Sequence, residues 1–297
     1  MMKEKIAFYV MNAKGYYVLN EFISTFGTKN IEYIVSSVDS NIKKDFFYDI
    51  QLLAKEEKIK FFSRTELLEN TEKVFNGYKF VIGWRWLIKN EFNLIVFHDS
   101  LLPKYRGFAP LVNCLINGEK KGGVTALFAN GLYDSGDIIS QRFFQIKYPL
   151  KIDGAIDIIK PLYFSLIEDI YTKLLNNIEL DSKKQDDIKS SYSLWLDDKD
   201  YFIDWKWSSK RIKRFVDSVG FPYDNAKSYL NGNIVKFFDV TIIKDIKVEH
   251  RERHIGKVVF IDNGVPVIVC KKGLLGLIKI TDESDSDLFI NFRSKFI

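Results

Sequence analysis

His98 and Asp134 are the residues of this chain whose types and setting suit bond-making chemistry. His98 begins the run His98-Asp-Ser-Leu-Leu-Pro-Lys-Tyr-Arg-Gly107, and Asp134 begins Asp134-Ser-Gly-Asp-Ile138. An imidazole donates a hydrogen bond to a developing oxyanion, and a carboxylate beside it holds the ring's charge or takes a proton from an incoming amine. Such a pair suits acyl transfer to nitrogen. By composition alone a plainer alternative is as strong: His98 caps a turn, and Asp134 satisfies backbone donors in the loop Gly131-Leu-Tyr-Asp-Ser-Gly136.

The elements that must bring the two together are legible as an alternation. Strand-like runs at 5–11, 31–37, 58–62, 79–83 and 94–98 are interleaved with helix-like stretches at 15–26 and 42–56. That order builds a Rossmann-like α/β layer, a mostly parallel sheet with helices on both faces, and ligands gather outside the carboxyl ends of its strands. His98 ends one such strand. Side chains alternate along it, so Val96 and His98 face one way and Phe97 the other. Further on, 108–117 reads as a short helix closed by Asn117-Gly118, 123–130 and 138–148 alternate like strands, and 152–177 carries a long helical pattern. Residues 1–180 are therefore expected to form the catalytic domain. The polar stretch 181–200 has the composition of a linker, with Leu194 and Trp195 as a point where it packs. In 201–297 the turn pairs Asn231-Gly232, Asn263-Gly264 and Lys272-Gly273 punctuate β-rich runs, which predicts a small barrel-like C-terminal domain.

Composition narrows the class. With 46% hydrophobic and 28% charged residues in 297, the chain has the makeup of a globular protein. The net charge of +5 is spread out rather than gathered in a Lys/Arg block, so tight nucleic-acid binding is not expected. Cys114 and Cys270 have no CxxC partner and suit a reduced compartment. The start lacks the apolar run of a secretory signal, and no window is apolar enough to span a bilayer, so a cytoplasmic location with no membrane partner is expected. Oligomeric state is not legible; a homodimer is one option. His250 and His254 stand four apart but in a β-rich region without a third ligand, and no metal is expected. Lys210, Arg211, Lys213 and Arg214 read as a solvated helix face, with phosphate contact as the lesser alternative. No GxGxxG follows the first strand, and the turn Met11-Asn-Ala-Lys-Gly15 holds one glycine, which argues against a nucleotide cofactor.

Four pieces taken together carry a resemblance: Ser-Leu-Leu-Pro-Lys-Tyr-Arg-Gly, a Pro-containing helix after it, then Gly-Val-Thr, then Asp-Ser-Gly-Asp. They resemble the formyltransferases that use N10-formyltetrahydrofolate as cosubstrate. Phe202-Ile-Asp-Trp205, Phe221-Pro222 and the β-rich end look like the C-terminal module of the methionyl-tRNA and sugar N-formyltransferases. The resemblance implies a catalytic Asn-x-His pair and a distant Asp, matched here by Val96, His98 and Asp134. The asparagine is missing. Valine has no donor, so oxyanion stabilisation must come from His98 with backbone N–H groups, water or another side chain such as Asn113. The resemblance also implies a pterin slot in the loop matching Gly83, Trp84, Arg85, Trp86 and Leu87. The plainer reading of Trp84 and Trp86 is core or edge aromatics. Lys104 and Arg106, beside His98, are candidates for binding the donor's glutamate or the acceptor's phosphates, with structural pairing as the alternative.

The acceptor follows from what is absent. Methionyl-tRNA formyltransferases carry a basic, glycine-rich loop after the second strand, where this chain has Ser36-Ser-Val-Asp-Ser40. The chain is more similar to the sugar N-formyltransferases, which modify an amine on a nucleotide-linked deoxysugar, and its wording through His98–Pro110 is similar to the subgroup serving nonulosonic acids such as pseudaminic acid. A methionyl-tRNA formyltransferase, or a non-catalytic folate- or nucleotide-sugar-binding relative, are the alternatives.

Overall fold

In a computed structural model, which describes residues 5–69 and 75–297, the chain separates into two compact units. The first comprises residues up to Leu111, 121–146 and 155–195; the second comprises 112–120, 147–154 and 196–297.

The first unit is built on β1 (Ile6–Val10), α1 (Asn12–Phe26), β2 (Ile31–Ser36), α2 (Phe47–Glu56), β3 (Phe61–Ser63), α3 (Arg64–Glu69), β4 (Tyr78–Ile82) and β5 (Leu94–His98). A two-residue β6 (Arg106–Gly107), β7 (Lys121–Phe128), β8 (Ile138–Gln145), α5 (Ile152–Leu175) and a two-residue β9 (Tyr192–Ser193) follow, with α4 (Pro110–Asn117), which lies mostly in the second unit, between β6 and β7. The first unit's seven-stranded sheet has the order β3-β2-β1-β4-β5-β7-β8. The strands from β3 to β5 are parallel; β7 and β8 run antiparallel. The chain walks outward from β1 to β3 and returns to β4 on the other side. That reversal beside β1 is where open α/β sheets hold ligands, at the carboxyl edge.

Alternation along the strands divides the core. Phe8 and Phe80 stack edge to face, as do Phe80 and Phe97, and Phe8 meets Phe22 of α1, which packs on Tyr171 of α5. On the opposite face Ala7, Tyr9, Val35, Val81 and Leu94 form a second cluster, and Val96, Trp84, Ile88, Leu67 of α3 and Ala129 pack on it. Val96 and Phe97 thus point to opposite faces, as the pleat dictates. Helix α1 closes tightly on β1, because a Cβ at Gly15 would lie 2.9 Å from that of Val10. Helix α2 starts at Phe47, later than the pattern suggested, because Asp45 holds the preceding loop with bonds from the Asp39 and Phe47 amides (2.9 and 3.1 Å). The six-residue α3 was not legible, being too short for a period to show.

The second unit contains α6 (Ser209–Ser218) and a five-stranded antiparallel sheet of β10 (Ala226–Leu230), β11 (Asn233–Ile243), β12 (Val258–Asp262), β13 (Val265–Val269) and β14 (Leu274–Asp282), ordered β10-β11-β14-β13-β12. The strands do not close on one another. Instead the residues near Ile297 bridge both edges: Tyr229 and Ile297 exchange backbone bonds of 3.1 and 3.0 Å, and the Val258 amide donates to Ser294 (3.1 Å). Phe296 packs on Trp205 and Phe237, with ring centres 5.5 and 5.6 Å away. On α6, Arg214 donates to the Ile116 carbonyl (3.0 Å) and Lys213 to Asp217 (2.7 Å), so half of the basic quartet is tied down rather than solvated. Among the described residues no helix is long and apolar enough to cross a membrane, and no cluster of three or more metal-ligating side chains occurs.

Candidate active site

His98 is the last residue of β5 and is 7% exposed. Its Nε2 lies 2.7 Å from the Tyr105 carbonyl, which only accepts, so Nε2 carries the hydrogen and donates it. The other nitrogen, Nδ1, lies 3.4 Å from Oδ1 of Asp134. That is longer than the ~2.8 Å of a tight charge-assisted bond, which leaves Nδ1 the looser of the two. The second Asp134 oxygen accepts from the Gly107 amide at 2.8 Å.

Reaching His98 requires an excursion by the loop between β7 and β8. It leaves β7 beside the start of β5, where the Ala129 amide donates to Leu94 (2.9 Å), yet its Asp134 meets the ring at the end of that strand. The loop therefore runs back along β5 for about 13 Å, four residues of strand. Asp134 takes a left-handed backbone conformation (φ 49°) to do so. The plainer alternative had Asp134 serving backbone donors of its own loop, Gly131–Gly136; instead one oxygen accepts from the Gly107 amide, outside that loop, and the other faces the imidazole.

The loop after His98 is held from two sides. From the sheet, Thr125, paired with His98 across β7, donates to the Ser100 carbonyl (2.6 Å) and accepts from the Leu102 amide (3.1 Å) and from Gln141 (2.8 Å). From the other side comes the polar stretch of composition read as a linker. Its residues through Trp195 belong to the first unit, and β9 pairs in parallel with β6. Ser191 accepts from Arg106 (2.8 Å) and donates to Pro103 (3.2 Å) through its backbone, and its hydroxyl accepts from the Tyr105 amide (3.0 Å). Gly107 stands at φ 92°, and a Cβ there would lie 2.8 Å from the Ser193 carbonyl; only glycine permits this approach.

Arg106 is 3% exposed, and its guanidinium donates to Gln185 (3.0 and 2.9 Å) and Asp187 (2.7 Å). As placed, it orders the loop. Lys104 is exposed, and Asn113 is half-buried on α4 among residues of the second unit. In the loop after β4, Arg85 pairs with the buried Asp39 and lies over Trp195 at 4.2 Å, while Trp84 packs on Tyr9 and Trp86, with centres 5.4 and 5.2 Å away. Leu87 is 54% exposed. Among the described residues, the Trp84 indole N–H and the Ser36 hydroxyl are buried without a hydrogen-bond partner, and both stand at the carboxyl edge, Trp84 just after β4 and Ser36 as the last residue of β2. Unspent buried polar groups at that edge fit a polar, flat ligand such as a pterin.

Four further groups, Lys14, Asp99, Tyr163 and Gln185, escaped the sequence reading. Asp99, directly after His98, receives both the Lys14 ammonium and the Tyr163 hydroxyl. Burial raises the Tyr163 pKa well above that of an ordinary phenol, with Asp99 adding to the effect, so it stays a donor. Adjacency to His98 was the only available signal for Asp99. Gln185 lay hidden in a stretch whose composition indicates solvent.

The chain matches the formyl transferase family over residues 55–152 and the formyl transferase C-terminal domain over 196–291. It is 28% identical over 290 residues to a methionyl-tRNA formyltransferase of Clostridium tetani, covering 92% of this chain and 90% of the relative. Among solved structures, WlaRD, described as a sugar 3N-formyl transferase with dTDP and 5-N-formyl-THF, is similar with a TM-score of 0.67 at 18% identity, over 98% of this chain and 100% of that one. An N-formyltransferase of Helicobacter canadensis, described with folinic acid and dTDP-3-aminofucose, follows at 0.66 and 20%, over 92% and 98%. At such identities the structures establish the fold; the two family matches, which together span most of the chain and include the His98 and Asp134 loops, establish that this protein belongs to the formyl transferase family.

Proposed function

We propose that the protein transfers a formyl group from N10-formyltetrahydrofolate to the amine of a nucleotide-linked amino-deoxysugar, with His98 and Asp134 as the reacting pair. The observation that carries this reading is the convergence of the two side chains, from distant parts of the chain, on one edge of the sheet. When bound, the folate supplies an activated one-carbon acyl group on nitrogen. The loop Gly83–Leu87 would hold its pterin, with Trp84 offering the unspent N–H. His98 is anchored through Nε2–H on Tyr105, so a proton on Nδ1 faces both Asp134 and the space in front of it, where the tetrahedral oxyanion forms. Asp134 orients the ring and takes the amine proton through water; as the bond from the formyl carbon to N10 breaks, that proton passes to N10 and tetrahydrofolate leaves. Val96 supplies no donor and packs into the apolar cluster instead.

A sugar acceptor is favoured over tRNA by the loop after β2. It spans residues 37–46, holds no glycine, and balances Lys43 and Lys44 with Asp39 and Asp45; Asp39 is buried and paired with Arg85. The loop therefore offers a nucleic acid no net positive charge. The fold neighbours described with dTDP ligands support the same choice, while the methionyl-tRNA relatives keep the second reading in play. Within the sugar class we favour an amino sugar of the nonulosonic acid type, such as a pseudaminic acid precursor. Cys114 and Cys270 are buried and not joined by a disulfide, in keeping with the cytoplasm.

The test is to follow tetrahydrofolate release from N10-formyltetrahydrofolate with UDP- and dTDP-linked amino sugars. Turnover is expected with one of them, falling about 100- to 1,000-fold in His98→Asn and Asp134→Asn with folate binding retained. Turnover only with charged initiator tRNA overturns the sugar reading, and folate binding with no turnover, unchanged by either substitution, makes the protein a binder.

A further inference from the structure

Asp134 can face His98 only if its loop is held in place over the whole excursion from β7, and one side chain from outside that loop ties its backbone at two points. Gln185 donates through Nε2 to the carbonyl of Asp134 itself (2.7 Å) and to that of Gly136 (2.8 Å). Its Oε1 accepts from Nε and Nη2 of Arg106 (3.0 and 2.9 Å). Two donors and two lone pairs are the full capacity of a primary amide, and all four are spent. The amide's orientation is also determined: turned over, it would set its oxygen against two carbonyls and its N–H groups against a guanidinium. Arg106 in turn lies in the loop that presents Tyr105 to Nε2 of His98 and the Gly107 amide to Asp134. Gln185 therefore joins the two loops that clasp the imidazole, touching neither the ring nor the Asp134 carboxylate.

We propose that Gln185 is the positioning residue of this site, setting the Asp134 carboxylate against Nδ1 of His98 by locking the left-handed backbone of Asp134 to Arg106. The proposal rests on the reading of His98 and Asp134 as the reacting pair. Small displacements of a catalytic group cost rate rather than affinity, because the chemistry samples geometry more steeply than binding does.

The experiment compares Gln185→Glu, Gln185→Met and Ile188→Ala, the last a 96% exposed position of the same segment. A glutamate keeps the acceptor for Arg106 but sets an oxygen against the two carbonyls; methionine keeps the length and removes every bond. With N10-formyltetrahydrofolate and dTDP-3-aminofucose, or whichever panel sugar turns over, kcat is expected to fall about 10- to 100-fold in both Gln185 variants, with KM for the folate within about threefold of the parent. Ile188→Ala should match the parent. The second readout needs no acceptor: the chain has three histidines, so ring 15N spectra assign His98 against His250 and His254. Only the His98 signals should move in Gln185→Glu. Unmoved His98 signals with kcat within twofold of the parent overturn the proposal. So does a Gln185→Glu variant that behaves as the parent while Gln185→Met does not, since Arg106 would then be the partner that matters. Loss of fold in both Gln185 variants makes the residue structural and overturns it too. A parent inactive on every acceptor sinks the proposed function instead, and the spectra still decide the coupling.

Discussion

The imidazole of His98 has unequal neighbours, and the inequality sets its chemistry. A 2.7 Å bond to Tyr105 fixes one nitrogen as a donor, whereas the 3.4 Å approach of Asp134 leaves the other able to turn toward a substrate. Val96, on the same face one pleat earlier, is half-buried and packs against the cluster of Ala7, Tyr9, Val35, Val81 and Leu94. Asparagine there would bury an amide among them at a cost of about 1 to 3 kcal/mol. Val96→Asn is accordingly expected to lower Tm, measured by thermal unfolding, while kcat rises far less than the ~100-fold that an absent oxyanion donor would leave to be gained. A rise of that full size would show that nothing has replaced the missing amide. In the second unit, burial raises the pKa of Asp217, partly offset by Lys213. A carboxyl with a raised folded pKa binds its proton more tightly folded than unfolded, so its contribution is most favourable below the unfolded value and is lost as pH rises through the folded one. Asp217→Asn removes that dependence: its Tm should exceed the parent's at pH 7, and the gap should narrow toward pH 4.

At the scale of elements, the smallest strands matter most to the site. The two-residue pair of β6 and β9 holds the loop that carries Tyr105 and Gly107, the two backbone partners of His98 and Asp134. Gly107→Ala introduces both a left-handed alanine and a Cβ against the Ser193 carbonyl, a strain of about 1 to 3 kcal/mol. The large sheet does not depend on that pair, so the expected result is a small loss of Tm with a loss of turnover of tenfold or more. Hydrogen exchange should localise the loosening to residues 105–108 and 191–193. Long, strongly patterned elements such as β1, β5 and α5 were legible in the sequence because their buried faces impose a period. The pairs made by two residues leave no period to read.

For the molecule as a whole, net charge and acceptor are linked. A nucleic-acid acceptor held by many phosphate contacts would give a KM rising steeply with salt, since each contact releases counterions. The spread charge of +5 and the charge-balanced β2 loop predict weak tRNA binding with a shallow salt dependence, checked by measuring affinity for initiator tRNA between 50 and 200 mM salt. Tight binding with a slope of several decades per decade of salt would point back to tRNA as the acceptor. The sequence by itself determined the layered α/β fold, the β-rich second unit, the end of β5 as the place of His98, and the candidate pair, because hydrophobic period, turn residues and motif wording are local properties. Tertiary structure alone decided that Asp134 turns back along β5 to face that ring, and that a stretch with the composition of a linker braces the site through Gln185, Ser191 and Ser193. Those contacts join residues 27 to 88 positions apart. Apart from the Arg106–Gln185 bonds, each joins a side chain to a backbone carbonyl or amide, groups that every residue type carries alike and that no sequence pattern can distinguish.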